Sequence, residues 1–316
     1  CTDATTDENV WVNIGGGFDH VHSSSFQGEI AGFTSGGNGP SRRDQILKYS
    51  FLSDTDSVDH GDLTIARYQV CGSSSSTHGY TSGGNNLTTV QIDVIDKFAF
   101  NTNSNATDVG NLPERRRNPS GNSSSTHGYN SGGDLPPVTK NTSKFSFSTD
   151  GNANNIGNLT LERSIASTSN STTHGYVAGG YQLDAVPHPY VTIDRFPFAS
   201  DTSASDVGDL PISKYAAAGT SSTTHGYVAG GYQSGPNANV SQIDRYSFAS
   251  SASGADVGDL TTVHSNGSTG SSGVTHGYTT GGTGSSIIKF NYSNSVTSTN
   301  VASTPLVHTH AAGTQF

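Results

Sequence analysis

Methionine is absent from the 316 residues, tryptophan occurs once, and cysteine occurs only at Cys1 and Cys71. Two cysteines cannot build a disulfide scaffold. Cys71 is therefore expected to be a small core residue and Cys1 a free terminal one, with a bridge between them as the alternative. The lack of methionine points to a processed product or a segment of a longer chain, and an N-terminal Cys also begins mature lipoproteins. Charge is scarce as well: charged residues make up 13%, with 25 acidic against 15 basic and a net charge of -10. That balance argues against nucleic acid, whose phosphates call for a cationic surface. No run of about 20 apolar residues exists to cross a membrane as a helix, and the short Gly-punctuated runs lack the alternation of a membrane barrel. Hydrophobic residues are only 31%, a level that can fail to offset the entropy of ordering a backbone. The 13 Tyr and 13 Phe nevertheless recur at regular places, so a set of small repeated cores is expected instead of disorder.

What is present is a repeat. The phrase Ala31-Gly32-Phe33 to Gly36-Gly37 returns as His78-Gly79-Tyr80 to Gly83-Gly84, and again at His127, His174, His225 and His276. The first glycines lie 47, 49, 47, 51 and 51 residues apart, a spread that loop insertions in a stacked repeat produce. Each phrase precedes a strand whose rings alternate, such as Ile95-Asp96-Lys97-Phe98-Ala99-Phe100 or Ile193-Asp194-Arg195-Phe196-Pro197-Phe198; residues at i and i+2 share one strand face. A third signal follows, as in Asp108-Val109-Gly110-Asn111-Leu112 and Asp206-Val207-Gly208-Asp209-Leu210, decayed to Asn300-Val301-Ala302 in the last copy. A basic residue then opens a strand of small residues: Arg67, Arg116, Arg163 and Lys214, with His264 and His308 near the equivalent place. Small residues suit a crowded strand near a ring axis.

The expected fold is all-β: a β-propeller of four-stranded blades whose radial stacking buries the aromatic rows between neighbours. Six blades are expected, with seven as the alternative. Val307–Gly313 reads as a seventh inner strand with nothing after it, and Asn9–Ile14, in an N-terminal segment 1–19 that precedes the repeats of 20–316, could close the ring against the other chain end. The Gly-Gly, the aromatic third strand and Leu210-Pro211-Ile212-Ser213-Lys214 resemble kelch-type repeats of galactose-oxidase-like propellers over roughly residues 20–313. Kelch repeats usually carry a Trp in the third or fourth strand, whereas Trp11 lies outside the repeats. The wording Thr-His-Gly-Tyr-x-x-Gly-Gly is also similar to repeat proteins of marine cyanobacterial phages and related bacteria, which implies a structural or fibre role.

The repeated histidines His78, His127, His174, His225 and His276 invite a metal reading, but donors must converge about 2 Å from one ion, and equivalent residues of separate blades do not. Their expected role is hydrogen bonding to a neighbouring turn, and neither a metal nor a cofactor is expected. Asp62 with Arg67, and Asp209 with Lys214, are spaced to meet across the turn between blades. Alternatively, Arg67, Arg116, Arg163 and Lys214 form a collar around one mouth of the central channel, open to carboxylate or sulfate. Arg115-Arg116-Arg117 is the densest basic spot and the candidate contact for an acidic glycan. The loops between Gly-Gly and the aromatic strand vary most, and should share a face with the blade-to-blade turns. Their long copies supply Tyr181, Asp184, His188, Tyr190 and Tyr232 as candidate ligand-binding residues, since exposed Tyr beside Asn or Asp suits sugars.

No Gly-x-Ser-x-Gly, Walker loop, His-Glu-x-x-His or Cys-x-x-Cys occurs, and no copper ligand set of the galactose-oxidase kind surrounds Cys71. A non-enzymatic extracellular or virion-surface module is therefore expected, binding a cell-surface glycan or another surface protein. Its alternatives are a purely structural fibre or decoration subunit that self-assembles, or a polysaccharide-acting enzyme built on Glu114, Arg115, Asp184 and His188. Nine Asn-x-Ser/Thr sequons, including Asn122, Asn170 and Asn239, agree weakly with an extracellular setting.

Overall fold

Among the described residues of the computed structural model, every regular element is a β-strand. The structure describes residues 27–88, 90–134, 137–182, 190–233, 235, 237–293 and 295–316. Six antiparallel four-stranded sheets form six blades. From the axis outward, blade 2 is Cys71–Ser74, His78–Ser82, Val94–Ala99 and Thr107–Asn111. Blade 3 is Ser120–Ser123, His127–Ser131, Asn141–Ser146 and Asn154–Asn158; blade 4 is Ser167–Asn170, His174–Ala178, Thr192–Pro197 and Ser205–Asp209. Blade 5 is Ala218–Ser221, His225–Ala229, Gln242–Ser247 and Ala255–Asp259; blade 6 is Thr269–Ser272, His276–Thr280, Ser286–Asn291 and Ser298–Ser303.

Blade 1 answers the question of closure. Its outer three strands, Ala31–Ser35, Gln45–Ser50 and Val58–Asp62, are completed on the axial side by Ala312–Gln315 from the other end of the chain. The C-terminal run is thus the inner strand of the first blade and does not begin a seventh. Asn9–Ile14, the other candidate for closure, lies outside the described residues, as do Trp11 and Cys1.

The His-Gly-Tyr phrase needs its glycine because the third strand lays a ring across it. A Cβ at Gly79, paired opposite Phe98, would lie 2.3 Å from that ring, and Gly128 meets Phe145 in the same way. The following aromatic turns outward and stacks on the next blade. Phe33–Phe100, Tyr80–Phe147, Tyr129–Phe198, Tyr176–Phe248, Tyr227–Tyr292 and Tyr278–Phe51 repeat this contact at 4.4–5.0 Å between centroids, one pair for each of the six interfaces. Each pair sits in a separate apolar cluster joining two blades, so burial, the main stabilising term, is spread around the ring.

The Gly-Gly and the basic residue prove to be two halves of one joint. The amide of Gly37 donates to the carbonyl of Arg67 (2.8 Å), and the same bond recurs from Gly84 to Arg116, Gly133 to Arg163, Gly180 to Lys214, Gly231 to His264 and Gly282 to His308. The basic side chain then turns into its own blade. Arg163 Nη1 donates to the carbonyls of Gly179 (3.0 Å) and Thr192 (2.9 Å), and Lys214 Nζ to those of Val228 and Gln242. One residue therefore rivets two blades and two strands. All six are essentially excluded from solvent, which rules out the basic collar at the channel mouth.

The partners are also different from those the spacing indicates. Arg67 pairs with Asp96 at 3.1 Å, Arg163 with Asp194, and Lys214 with Asp244 at 3.0 Å, each aspartate lying on the third strand of the blade being entered. Thr64 and Thr160 donate both amide and hydroxyl to Asp96 and Asp194. In blade 5 Pro211 stands where Thr would be, and burial holds the Asp244 carboxyl above the ordinary range against the pull of Lys214. Where the aspartate is replaced by Ile288 or Leu47, the rivet is His264 or His308. Blade 3 has Ser143 there, and Arg116 reaches Glu114 (3.5 Å) and the carbonyls of Gly132 and Asn141 instead.

The repeated histidines occupy the face opposite the Gly-Gly loops. In each copy the Nδ1 is 2.8 Å from the hydroxyl of the preceding Thr: Thr77–His78, Thr126–His127, Thr173–His174, Thr224–His225 and Thr275–His276. Among the described residues no group of three or more His, Cys, Asp or Glu side chains is placed to hold a metal, and no helix is long and apolar enough to cross a membrane. Cys71 is buried and free, its thiol 2.8 Å from Asn130 Oδ1.

Candidate functional site

Around the axis the inner strands approach closely. A Cβ at Gly72, Gly121, Gly219, Gly270 or Gly313 would come within 2.3 Å of the backbone oxygen of a neighbouring inner strand, so only hydrogen fits there. Beyond this waist, side chains tie the strands into a closed cycle. The amide of Ser74 donates to Ser123 Oγ, Ser123 to Asn170 Oδ1, Asn170 to Ser221 Oγ, Ser221 to Ser272 Oγ, Ser272 to Gln315 Oε1 and Gln315 back to Ser74 Oγ, at 2.8–3.4 Å. Gln27 Nε2 bonds the carbonyls of Ser221 and Gly273 at the same end.

The other end of the channel is built from strained backbone. Gln69, Asn118, Ile165, Ala216, Gly267 and His310 all have φ between +53° and +77°, and only one is glycine. Such conformations cost on the order of 1–3 kcal/mol each, most for the β-branched Ile165. Hydrogen bonds between peptide groups of neighbouring blades link them in a run: His310 donates to the Gly267 carbonyl (2.8 Å), Gln69 to His310 (2.8 Å), Asn118 to Gln69 (2.7 Å), Ile165 to Asn118 (3.2 Å) and Ala216 to Ile165 (3.1 Å). These residues form the throat of an axial cavity of about 120 Å³.

The residue before each throat position forms the rim. On this face the blade-to-blade connections pair with the variable loops through single bridges, Tyr68–Asn85, Arg117–Asp134, Ser164–Tyr181, Tyr215–Tyr232 and Thr309–Asn38, which confirms that the two kinds of loop share a side. Tyr181, Tyr215 and Tyr232 form a row across blades 4 and 5, with centroids 4.9 and 5.5 Å apart. All three are half-buried. Across the mouth, the Arg42 guanidinium lies 4.8 Å over Tyr68, whose ring meets His310 edge-on. Asn85 donates to Gln69 Oε1 and Asn118 to Asp134 Oδ2. His310 Nδ1 is buried beside the cavity without a hydrogen-bond partner, and enclosure pushes its pKa down to about 4, so the throat presents a neutral imidazole.

The sequence-derived candidates scatter over this geometry. Tyr181 and Tyr232 stand in the tyrosine row. Tyr190 is buried, its hydroxyl donating to Gln182 Oε1 at 2.9 Å. The three arginines separate: Arg115 is exposed, Arg116 is the rivet of blade 3, and Arg117 is paired with Asp134 at 3.2 Å. Asp184 and His188 lie outside the described residues. Glu114 is drawn to Arg116. Tyr68, Tyr215, Gln69, Asn118 and His310 were not apparent from the sequence. The signal that marks them is divergence, since the two positions after each rivet differ in nearly every blade while the frame around them repeats.

The asparagine of one sequon is a core group: Asn122 is fully buried and donates to Ser169, Asn170 and Tyr176. The structure bears out the six-bladed β-propeller that the repeats indicate, and goes no further toward a kelch-type family. No family model matches the chain, and no curated protein matches it either.

Proposed function

We propose that the chain is a non-enzymatic surface module whose channel-mouth face binds a neutral carbohydrate. The observation that carries this reading is the tyrosine row Tyr181, Tyr215 and Tyr232 running to the throat, at positions where the six repeats part company. Aromatic faces offer apolar area at low entropic cost, and Gln69, Asn118 and neutral His310 offer amide and imidazole groups to sugar hydroxyls. Rigid strands and hydrogen bonds between neighbouring blades hold these groups in place, the arrangement that keeps the entropic cost of binding low. The likeness of the repeat phrase to phage-encoded repeat proteins supports a virion or cell-surface setting.

A glycan array probed at millimolar sugar tests the reading. The native chain should bind a restricted set of neutral glycans, and Tyr215→Ala should weaken binding about tenfold or more with the melting temperature unchanged. No binding at that concentration, together with stable polymeric assembly, would replace this reading with a structural fibre or decoration subunit. Turnover of a polysaccharide would show an enzyme.

A further inference from the structure

Four of the six rivets are Arg or Lys, and the remaining two, His264 and His308, bracket blade 6. The His264 carbonyl holds Gly231 of blade 5 while its ring meets Thr279 Oγ1 of blade 6 at 3.1 Å. The His308 carbonyl holds Gly282 of blade 6 while its Nδ1 lies 2.9 Å from the Gly36 carbonyl of blade 1. Both rings are fully buried, and the second nitrogen of each is buried with no hydrogen-bond partner among the described residues. The place taken by aspartate in blades 2, 4 and 5 is Ile288 beside His264 and Leu47 beside His308. Among the described residues, the Arg43 guanidinium acts on His308 and opposes a second positive charge, no charged group acts on His264, and burial lowers His310, two residues beyond His308, to about 4 as well.

We propose that blade 6 is an acid-released gate of the ring, opened when His264 and His308 take up protons that no buried carboxylate can balance. Burial lowers the pKa of both from the ordinary 6.5, that of His264 to about 4. A histidine lowered on folding contributes stability that is complete above its unfolded value and is lost as pH falls from there toward the folded value. The window is therefore about pH 6.5 to 4. The other rivets are Arg67, Arg163 and Lys214, each paired with a buried aspartate, and Arg116, which reaches Glu114. Blade 6 is also the blade with the shortest Gly-Gly loop and with Ala302 in place of the outer-strand glycine. Opening frees its two sides and, with them, the C-terminal strand that completes blade 1.

Hydrogen exchange followed by mass spectrometry, corrected for the intrinsic pH dependence of exchange, reads the gate directly. Between pH 7.5 and 5.0, amides of Thr269–Ser303 and Ala312–Gln315 should lose protection about tenfold or more, while blades 3 and 4 keep theirs. The double variant His264→Gln, His308→Gln should abolish that selective loss. Leu47→Asp, which gives His308 the counter-ion that Arg67 finds in Asp96, should reduce it at the blade 1 junction even if the double variant folds poorly. Protection in blade 6 that does not change with pH, a loss shared evenly by all six blades, or an unchanged loss in both variants would overturn the proposal.

Discussion

At the scale of single residues, charge at the rivets is tolerated only as a matched pair. Arg163→Met leaves Asp194 buried and unbalanced and should destabilise the fold by about 3–5 kcal/mol. Adding Asp194→Leu should recover most of that, because blades 1 and 6 already combine an apolar residue at this place with an uncharged rivet. The midpoint of urea unfolding, at unchanged slope, checks both values. Glycine is equally specific by position. Gly128→Ala drives a methyl into the Phe145 ring and should cost about 1–3 kcal/mol, whereas alanine at the open and exposed Gly235 should be close to neutral. Burial pushes the Cys71 thiol up to about 12. Alkylation at pH 8, followed by mapping of the peptide that contains Cys71, should therefore find it unmodified in the native protein and fully modified in urea.

At the scale of elements, the strand order was legible because its signals are local. Alternating rings mark the third strand, and the Gly-Gly marks a left-handed turn, φ near +65° then +100° in most copies, that few other residues would accept. Pairings across the blade were not legible. Arg163 meets Asp194, 31 residues later in sequence, because the side chain passes under the Gly-Gly to the third strand; proximity in sequence favoured the nearer acid of the outer strand. The throat was hidden for another reason. Left-handed backbone is carried there by Gln, Asn, Ile, Ala and His, held by a run of hydrogen bonds between blades that no single repeat displays. Closure is a further property of the whole set, since the inner strand of blade 1 comes from Ala312–Gln315 and Phe316 stacks on Phe100 of blade 2. Removing residues 312–316 should expose the edge of Ala31–Ser35 and convert a single sharp calorimetric transition into a broader one at lower temperature.

At the scale of the molecule, repetition and its interruption divide the labour. The aromatic stacks, the rivets and the axial cycle recur around the ring and make a stiff support. The mouth breaks the pattern, with tyrosines on blades 4 and 5 and Tyr68, Arg42 and His310 across the axis, giving a six-bladed object one asymmetric face. Among the described residues, the opposite face repeats its Thr-His turns in five blades and offers nothing comparable. A crystal structure of the native chain soaked with the neutral glycan that binds best on the array tests the account most directly. The expected result is a sugar ring stacked on Tyr215, with hydroxyls within hydrogen-bond distance of Gln69, Asn118 or His310. A sugar seated on the Thr-His turns, with the mouth unchanged, would contradict it.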